Sequence, residues 1–479
     1  MNYGLIRYTL GLVLNIEAAT MVLPLVCAFC YGDTERIKLF AVCVLICLLP
    51  GILLTLRKPA KKAMYAKEGF IIVALSWIII SIFGAFPFYI SGCIPSFIDA
   101  LFESASGFTT TGASVLSDVE VVPKAILFWR SFTHWIGGMG VLVFLVSILS
   151  LADGGNVHLI KAESTGPAVS KLVPKVKSSA KILYLIYFGF TVIETVMLLA
   201  GGMSLFEALT MTFGTVGTGG FGVKNSSMAD YSPYLQTVVT VFMILCGIDF
   251  SVYYLLLTKR FSAALKSDEY RSYLTIIAVS ILLISVNCMH LFPDFLTSLR
   301  HGAFQVGSII TTTGYVTADF DTWPSFSKTI LVMLMFIGAC AGSTGGGIKV
   351  SRILILLKSV KKEIRISAHP RSTHKITMNG RAVEHETIRS VNVFIAVYFV
   401  IFAVSTLIIS LDNLGFATNF TAVAATINNI GPGLEAVGPT QNFSVYSPLS
   451  TFVLTVDMWI GRLEIFPILM LISPYTWKK

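Results

Sequence analysis

The sequence predicts an all-α polytopic membrane protein: two N-terminal spans, then four pseudo-symmetric units of span, short re-entrant helix and span, gathered around one central axis. Three observations carry this. Hydrophobic residues fill 55% of the 479 positions and charged residues only 13%, against about a quarter charged in a soluble domain. The apolar residues fall into runs long enough to cross a bilayer, for which about 20 are needed. Between the later runs a shorter, glycine-ended segment recurs four times.

In chain order the spans read 8–30, 37–56, 70–92, 125–151, 182–202, 235–257, 272–292, 327–357, 390–411 and 449–473. The first is too long for the apolar core of a secretory signal and has no small-residue cleavage site at its end, so it is expected to remain a span. Residues 1–60 hold the two N-terminal helices, and the four repeats occupy 61–152, 153–262, 263–362 and 363–479.

The short segments read FIDALFESASGFTTTGAS, LFEALTMTFGTVGTGGFG, GAFQVGSIITTTGYV and FTAVAATINNIGPG. They are too short to cross, so each is expected to enter and leave on the same side. They align on Gly112, Gly219, Gly314 and Gly431, and the first and third share TTTG.

Charge placement sets the orientation. The connections 57–67, 151–181, 258–271 and 349–389, with the two termini, hold 27 of the 35 Lys and Arg. Such a bias puts these segments, and both termini, in the cytoplasm. The net charge of +9 is therefore a topology signal, and no nucleic-acid partner is expected. The four short segments then all face outside. Cys27 and Cys30 have C-x-x-C spacing without a second ligand pair, and the eight cysteines read as small apolar packing.

Glycine turns at membrane depth suit a cation pathway. Backbone carbonyls arranged in a ring can replace an ion's water shell, and glycine admits positive φ at no steric cost. Irregular backbone survives at this depth only inside protein or along a water-filled cavity, and the C-terminal end of each short helix favours a cation. The ring is expected to use Thr110, Thr111 and Gly112; Gly217, Thr218 and Gly219; Thr312, Thr313 and Gly314; and Asn429, Ile430 and Gly431. Neutral ligands without carboxylates argue for a large, weakly hydrated ion and against calcium. Asp118, Glu120, Asp230, Asp319, Asp321 and Glu435 in the outer loops either concentrate cations at the mouth or solubilise the loops.

The eighth span is interrupted by GACAGSTGGG, ten small residues from Gly338 to Gly347. Glycine costs about 1 kcal/mol per position inside a helix, so the helix is expected to open there. Residues 339–348 then form a loop in the pathway, a gate, unless the small residues only permit close helix packing. The last span carries Asp457, Arg462 and Glu464, and charges at that depth are functional or paired. Glu17, Glu194, Asp249, Arg130 and His134 in spans, and Glu103 and Glu207 in the short helices, read mainly as packing groups.

SGFTTTGAS, HWIGGMGV, TGGFG, TTTGY, AGSTGGGIK, NNIGPG and GRLEIFP, in this order, cover nearly the whole chain and together resemble the bacterial Trk/Ktr potassium-uptake family, which is related to fungal Trk and plant HKT transporters. The two spans ahead of the first repeat resemble the Trk branch. The resemblance implies a potassium-channel-like fold and K+ as the transported ion. It also implies a homodimer with one pore per protomer, in a bacterial inner membrane. A cytosolic TrkA-type regulatory subunit would carry the nucleotide, leaving no organic cofactor in this chain. It makes Gly342, Ser343, Thr344, Gly345, Gly346, Gly347 and Lys349 gate residues and places Arg462 beside them, below the filter. The alternative for Arg462 is a helix-holding pair with Asp457 or Glu464.

The remaining motifs fail on context. Gly217 to Gly222 matches G-x-G-x-x-G without a preceding strand, and Gly342 to Lys349 imitates a phosphate loop with Lys displaced and Val350 where Ser or Thr is required. No nucleophile–base constellation stands out, so no enzymatic activity is expected. A coupled potassium symporter remains compatible with the same filter.

Overall fold

The computed structural model describes residues 1–59, 65–151, 176–370 and 374–477, with side chains except at 139, 141–151 and 176–181. Much of the basic stretches 57–67 and 151–181 lies outside the described residues. The first span is α1 (Tyr3–Thr20) and α2 (Val22–Cys30), and the second is α3 (Thr34–Thr55). Of these, α1 packs on α4 (Ala66–Gly84), which with α5 (Phe86–Ile90) leads to the first short helix, α6 (Phe97–Phe108). There follow α7 (Lys124–Leu151), α8 (Val176–Ala200) and the second short helix, α9 (Leu205–Val216).

Among the described residues six helical segments are long and apolar enough to cross a bilayer. Their outer faces expose large apolar side chains such as Leu185, Phe188 and Val196. An exposed apolar belt of that kind is suited to lipid, and the chain is an integral membrane protein.

Three of the ten expected spans are broken: the eighth, where its glycine run predicts it, and the sixth and tenth, which the sequence reads as continuous. Residues 235–257 form α10 (Pro233–Cys246) and α11 (Phe250–Leu257), bent by 91°. Gly247 ends the first piece and Asp249 accepts a hydrogen bond from Ser251 N (2.8 Å), starting the second in a new direction. After α12 (Phe261–Leu265), α13 (Asp268–Asn287) and the third short helix, α14 (Phe295–Ile310), the eighth span divides into α15 (Ser325–Ile337) and α16 (Val350–Ala368). The break runs from Gly338 to Lys349, one residue wider at each end than the expected loop. A two-stranded hairpin (Thr377–Met378, Arg381–Ala382) precedes α17 (His385–Ile409) and the fourth short helix, α18 (Phe416–Ile427). The last span divides into α19 (Pro448–Arg462) and α20 (Phe466–Ile472), before a final turn, α21 (Pro474–Trp477). Glu464 and Ile465 take positive φ there, which no helix can continue.

The short helices are 12, 12, 16 and 12 residues long. At about 1.5 Å per residue they reach about 18–24 Å, well short of the roughly 30 Å hydrocarbon core. The third begins at Phe295, seven residues ahead of the apolar segment that starts at Gly302. Its polar first turns hide it from hydropathy, while Asp294 caps it through Thr297 N (2.6 Å).

Packing closes a circle. The short helix α9 packs on the α10 that follows it and on α7, which ends the previous repeat. In the same way α14 packs on α15 and α10, α18 on α19 and α15, and α6 on α7 and α19. The fourth repeat thus returns to the first.

A candidate ion pathway built from four helix ends

Each short helix ends in the same six-residue motif. The residue after the C-cap has positive φ: Thr110 (56°), Thr218 (54°), Thr312 (58°) and Asn429 (56°). The next N–H folds back to the helix, from Thr111 to Ser106 O (2.9 Å), Gly219 to Gly214 O (2.7 Å), Thr313 to Ser308 O (2.8 Å) and Ile430 to Ala425 O (2.8 Å). This is the Schellman ending, which satisfies the last helical carbonyls and throws the chain away from the helix axis. Its left-handed position is normally glycine or asparagine. A β-branched threonine there, three times over, is strained by about 1–3 kcal/mol each and marks a functional backbone.

The motif corrects the sequence register in the second turn. The glycine two residues beyond the left-handed residue is Gly112, Gly220, Gly314 and Gly431, with φ of 81°, 81°, 87° and 104°. Gly220, not Gly219, is therefore the counterpart of the other three. The sequence segment TVGTGG has glycine at both positions, so alignment on glycine alone was ambiguous; alignment on the helix end resolves it.

These glycines join the four turns. A Cβ on Gly112 would overlap Gly219 O, one on Gly220 would overlap Thr313 O, one on Gly314 would overlap Ile430 O, and one on Gly431 would stand 3.0 Å from Thr111 O. Turn one meets turn two, two meets three, three meets four, and four meets one. All four glycines line a single cavity, together with Pro432 and Val316. Among the described residues no backbone N–H donates to the carbonyls of 110–112, 218–220, 312–314 or 429–431. Buried carbonyls ordinarily find a donor, so a ring of unclaimed ones is chemically suited to coordinating a cation.

The sequence-predicted residues thus come together, with Gly217 at a C-cap rather than in the ring. The outer acidic residues do not line the cavity. Asp118 accepts from Asn225 Nδ2 (2.8 Å), which holds its carboxyl below the usual carboxylate range, and Glu435 accepts from Thr418 Oγ1 (2.8 Å). Asp321 accepts from Glu435 N (3.1 Å). These carboxylates close loops.

The interrupted span lies at the opposite, helix-end side of the ring. Gly346 N donates to Thr312 Oγ1 (2.6 Å), and a Cβ on Gly345 would stand 2.8 Å from Thr311 O. A Cβ on Gly346 would overlap Asn428 O. The segment is tied to its surroundings: Cys340 N donates to Gly247 O (3.0 Å), Phe250 N to Gly342 O (3.1 Å), and Thr344 Oγ1 to Cys246 O (3.3 Å). The bend between α10 and α11 is thus its cradle. Glu269 Oε1 accepts from Ala341 N (2.7 Å) and Ser351 N (3.0 Å), pinning both edges. Inside the segment Ser343 Oγ donates to Cys340 O (2.6 Å), and the buried Lys349 donates to Gly345 O. Gly342 and Gly347 adopt positive φ.

Arg462 reaches three parts of the site at once. Its Nη1 donates to Thr110 Oγ1 (3.1 Å) and Thr344 O (2.9 Å), and its Nη2 to Gly137 O (2.7 Å). Of the residues in the alternative pairing, Glu464 bonds Arg352 (2.5 Å), and Asp457 accepts from Ser405 Oγ (2.7 Å). Sequence reasoning passed over Glu269 and the α10–α11 bend, because one lies at a helix start and the other inside an apolar run. The Gly247-Ile248-Asp249 triplet is the signal that was available for the bend.

Comparison with known proteins agrees with this architecture. A family model described as TrkH, cation transport protein, matches residues 36–478. The Trk system potassium uptake protein TrkH of Salmonella typhimurium is 35% identical over 488 residues, covering all of both chains. TrkG of Escherichia coli K12 is 33% identical over 480 residues, covering 99% of this chain and 98% of the relative. The crystal structure of the potassium transporter TrkH from Vibrio parahaemolyticus superposes with a TM-score of 0.89 at 32% identity, over the whole of both chains. With a third of its residues shared end to end and the same helices in the same places, this chain belongs to the TrkH family of cation transport proteins.

Proposed function

We propose that this chain conducts K+ into the cell through a gated, potassium-selective pore whose filter is the ring of four helix-end turns. The observation that carries the reading is the closed circle of glycine against carbonyl, one turn to the next. Neutral main-chain oxygens, unclaimed by backbone donors, favour a cation that gives up its water readily. The relatives' names as potassium uptake proteins supply the ion.

The segment 338–349 is the gate. It touches the filter's helix-end side and occupies the line along which an ion would leave, with the Arg462 guanidinium as a cation beside that path. Gly342, Ser343, Thr344, Gly345, Gly346, Gly347 and Lys349 form it, and Arg462 ties it shut. Opening requires the segment to leave its cradle at the α10–α11 bend. A homodimer in a bacterial inner membrane, termini in the cytoplasm, and a cytosolic TrkA-type nucleotide-binding subunit belong to the same reading. Their support is the likeness to proteins named as members of a Trk system.

Potassium uptake by the purified chain in liposomes, with and without the regulatory subunit, tests this. The expected current reverses at the potassium equilibrium potential whatever the pH or Na+ gradient. A reversal that follows either gradient would replace the channel by a coupled symporter.

A further inference from the structure

The four turns share a backbone but not a brace. In turn one Thr109 Oγ1 and Thr111 Oγ1 hydrogen-bond at 2.7 Å, and in turn three Thr311 and Thr313 do so at 2.8 Å. In turn four Asn428 exchanges hydrogen bonds with Tyr398 OH (2.8 and 3.1 Å). Turn two has glycine at both equivalent positions, Gly217 and Gly219, and so lacks such a pair; Thr218 Oγ1 donates within the turn, to Gly217 O (2.7 Å). Neither takes positive φ, so backbone freedom does not explain them.

His134, on α7, explains both. A Cβ on Gly217 would stand 2.5 Å from His134 O, and one on Gly219 would overlap the imidazole ring. The ring, fully buried, is bound at both nitrogens. Nδ1 bonds Gly107 O (2.7 Å), and Nε2 accepts from Phe221 N (3.2 Å). A carbonyl only accepts and a backbone N–H only donates, which fixes the neutral tautomer with hydrogen on Nδ1. Gly107 lies in the last turn of α6, and Phe221 directly follows Gly220. One side chain therefore clamps the base of turn one to the exit of turn two. The Phe221 ring lies 4.2 Å from the imidazole centroid and 3.5 Å from the Arg130 guanidinium, so it is held on both sides.

We propose that His134 is a positioning residue for ion selection: its imidazole replaces the missing brace of turn two and fixes the Gly219 carbonyl in the ring. The inference rests on the potassium-filter reading. It predicts a reciprocal relation between positions 134 and 219, in which each excludes a side chain at the other.

The test uses the full-length chain in proteoliposomes and reads the K+/Na+ permeability ratio from reversal potentials, a quantity that a merely structural role would leave unchanged. His134→Ala lowers the ratio about tenfold, the scale of one or two lost hydrogen bonds, while transport persists. Gly219→Thr alone lowers it too, because the new side chain meets the ring. In His134→Ala/Gly219→Thr the threonine enters the vacated space, and the ratio recovers by about threefold or more over His134→Ala, a coupling of opposite sign to simple additivity. If His134→Ala does not assemble, His134→Asn keeps a donor toward Gly107, loses the acceptor for Phe221, and gives the same loss of discrimination. A wild-type ratio in His134→Ala or His134→Asn overturns the proposal, as does a double variant no better than the single. A wild-type chain that fails to prefer K+ overturns instead the filter reading beneath it.

Discussion

Replacing Arg462 with Gln should open the pathway. The guanidinium holds Thr344 O at 2.9 Å and also grips Thr110 Oγ1 at 3.1 Å and Gly137 O at 2.7 Å. Of these three bonds, the one to Thr344 tethers the interrupted segment, and the other two fix the arginine. A hydrogen bond from a charged donor contributes about 1.5–3 kcal/mol. Losing one such tether therefore raises the ratio of released to docked segment by roughly 10- to 150-fold, at about 1.4 kcal/mol per decade. Removing the cation also lowers the electrostatic barrier to K+ beside it. Rubidium tracer uptake into K+-loaded proteoliposomes, without the regulatory subunit, measures the result: initial rates should rise at least tenfold on that scale. Arg462→Lys, which keeps the charge but not the planar fork, should fall between wild type and Gln. A rate unchanged or reduced in Arg462→Gln, with K+-dependent thermal stabilisation intact, would refute the gate assignment and leave Arg462 a structural tie.

Other consequences concern the same site. Deleting 341–347 should raise K+ uptake and weaken regulation, and adding Arg462→Gln to the deletion should give no further gain, since both act on one segment; additive effects in the uptake assay would count against a shared role. Gly220→Ala forces φ near 81° on alanine and drives its Cβ into Thr313 O, so stabilisation of the detergent-solubilised chain against heat by K+ should vanish; its retention would restore Gly219 as the ring glycine. Glu103 and Arg130 form a buried ion pair at 2.6 Å, so Glu103→Ala alone should cost about 3–5 kcal/mol while Glu103→Leu/Arg130→Met costs less, as read from thermal unfolding of the purified chain.

What the sequence disclosed and what it hid divide along physical lines. Long apolar runs such as 37–56 and 390–411 were legible because hydropathy measures what lipid demands of a continuous span. The four turns were legible because TTTG and NNIG carry glycine where a close approach requires it. The broken spans were half legible: ten small residues announce the break at 338–349, whereas the bend at Gly247 is a single glycine and one acidic cap within apolar sequence. The missed register of turn two has a sharper cause. Gly219 is glycine for lack of room against His134, and Gly220 is glycine for its φ and for Thr313 O. Two different demands produced the same letter twice, and no pattern of residues alone separates them.

The same distinction explains how unlike sequences build a like ring. VGTGG and NNIG share little with TTTG, yet all four segments end their helices with the same fold-back and the same left-handed residue. The geometry comes from the helix end, where the fold-back hydrogen bond fixes the direction of the next three carbonyls. Side chains then stabilise it by local means: threonine pairs in turns one and three, Tyr398 behind turn four, the imidazole behind turn two. A threonine in left-handed backbone costs about 1–3 kcal/mol, and its fully buried hydroxyl offsets part of that. Thr110 Oγ1 accepts from Arg462 and Thr312 Oγ1 from Gly346. Two of the three strained threonines thus bond to the segment beneath the ring or to the arginine that ties it, while Thr218 Oγ1 donates to Gly217 O (2.7 Å). Asparagine or glycine would relax turns one and three but loosen those bonds. The strain in the ring and the docking of the segment below it are therefore parts of one balance, and a change that relieves the first should weaken the second.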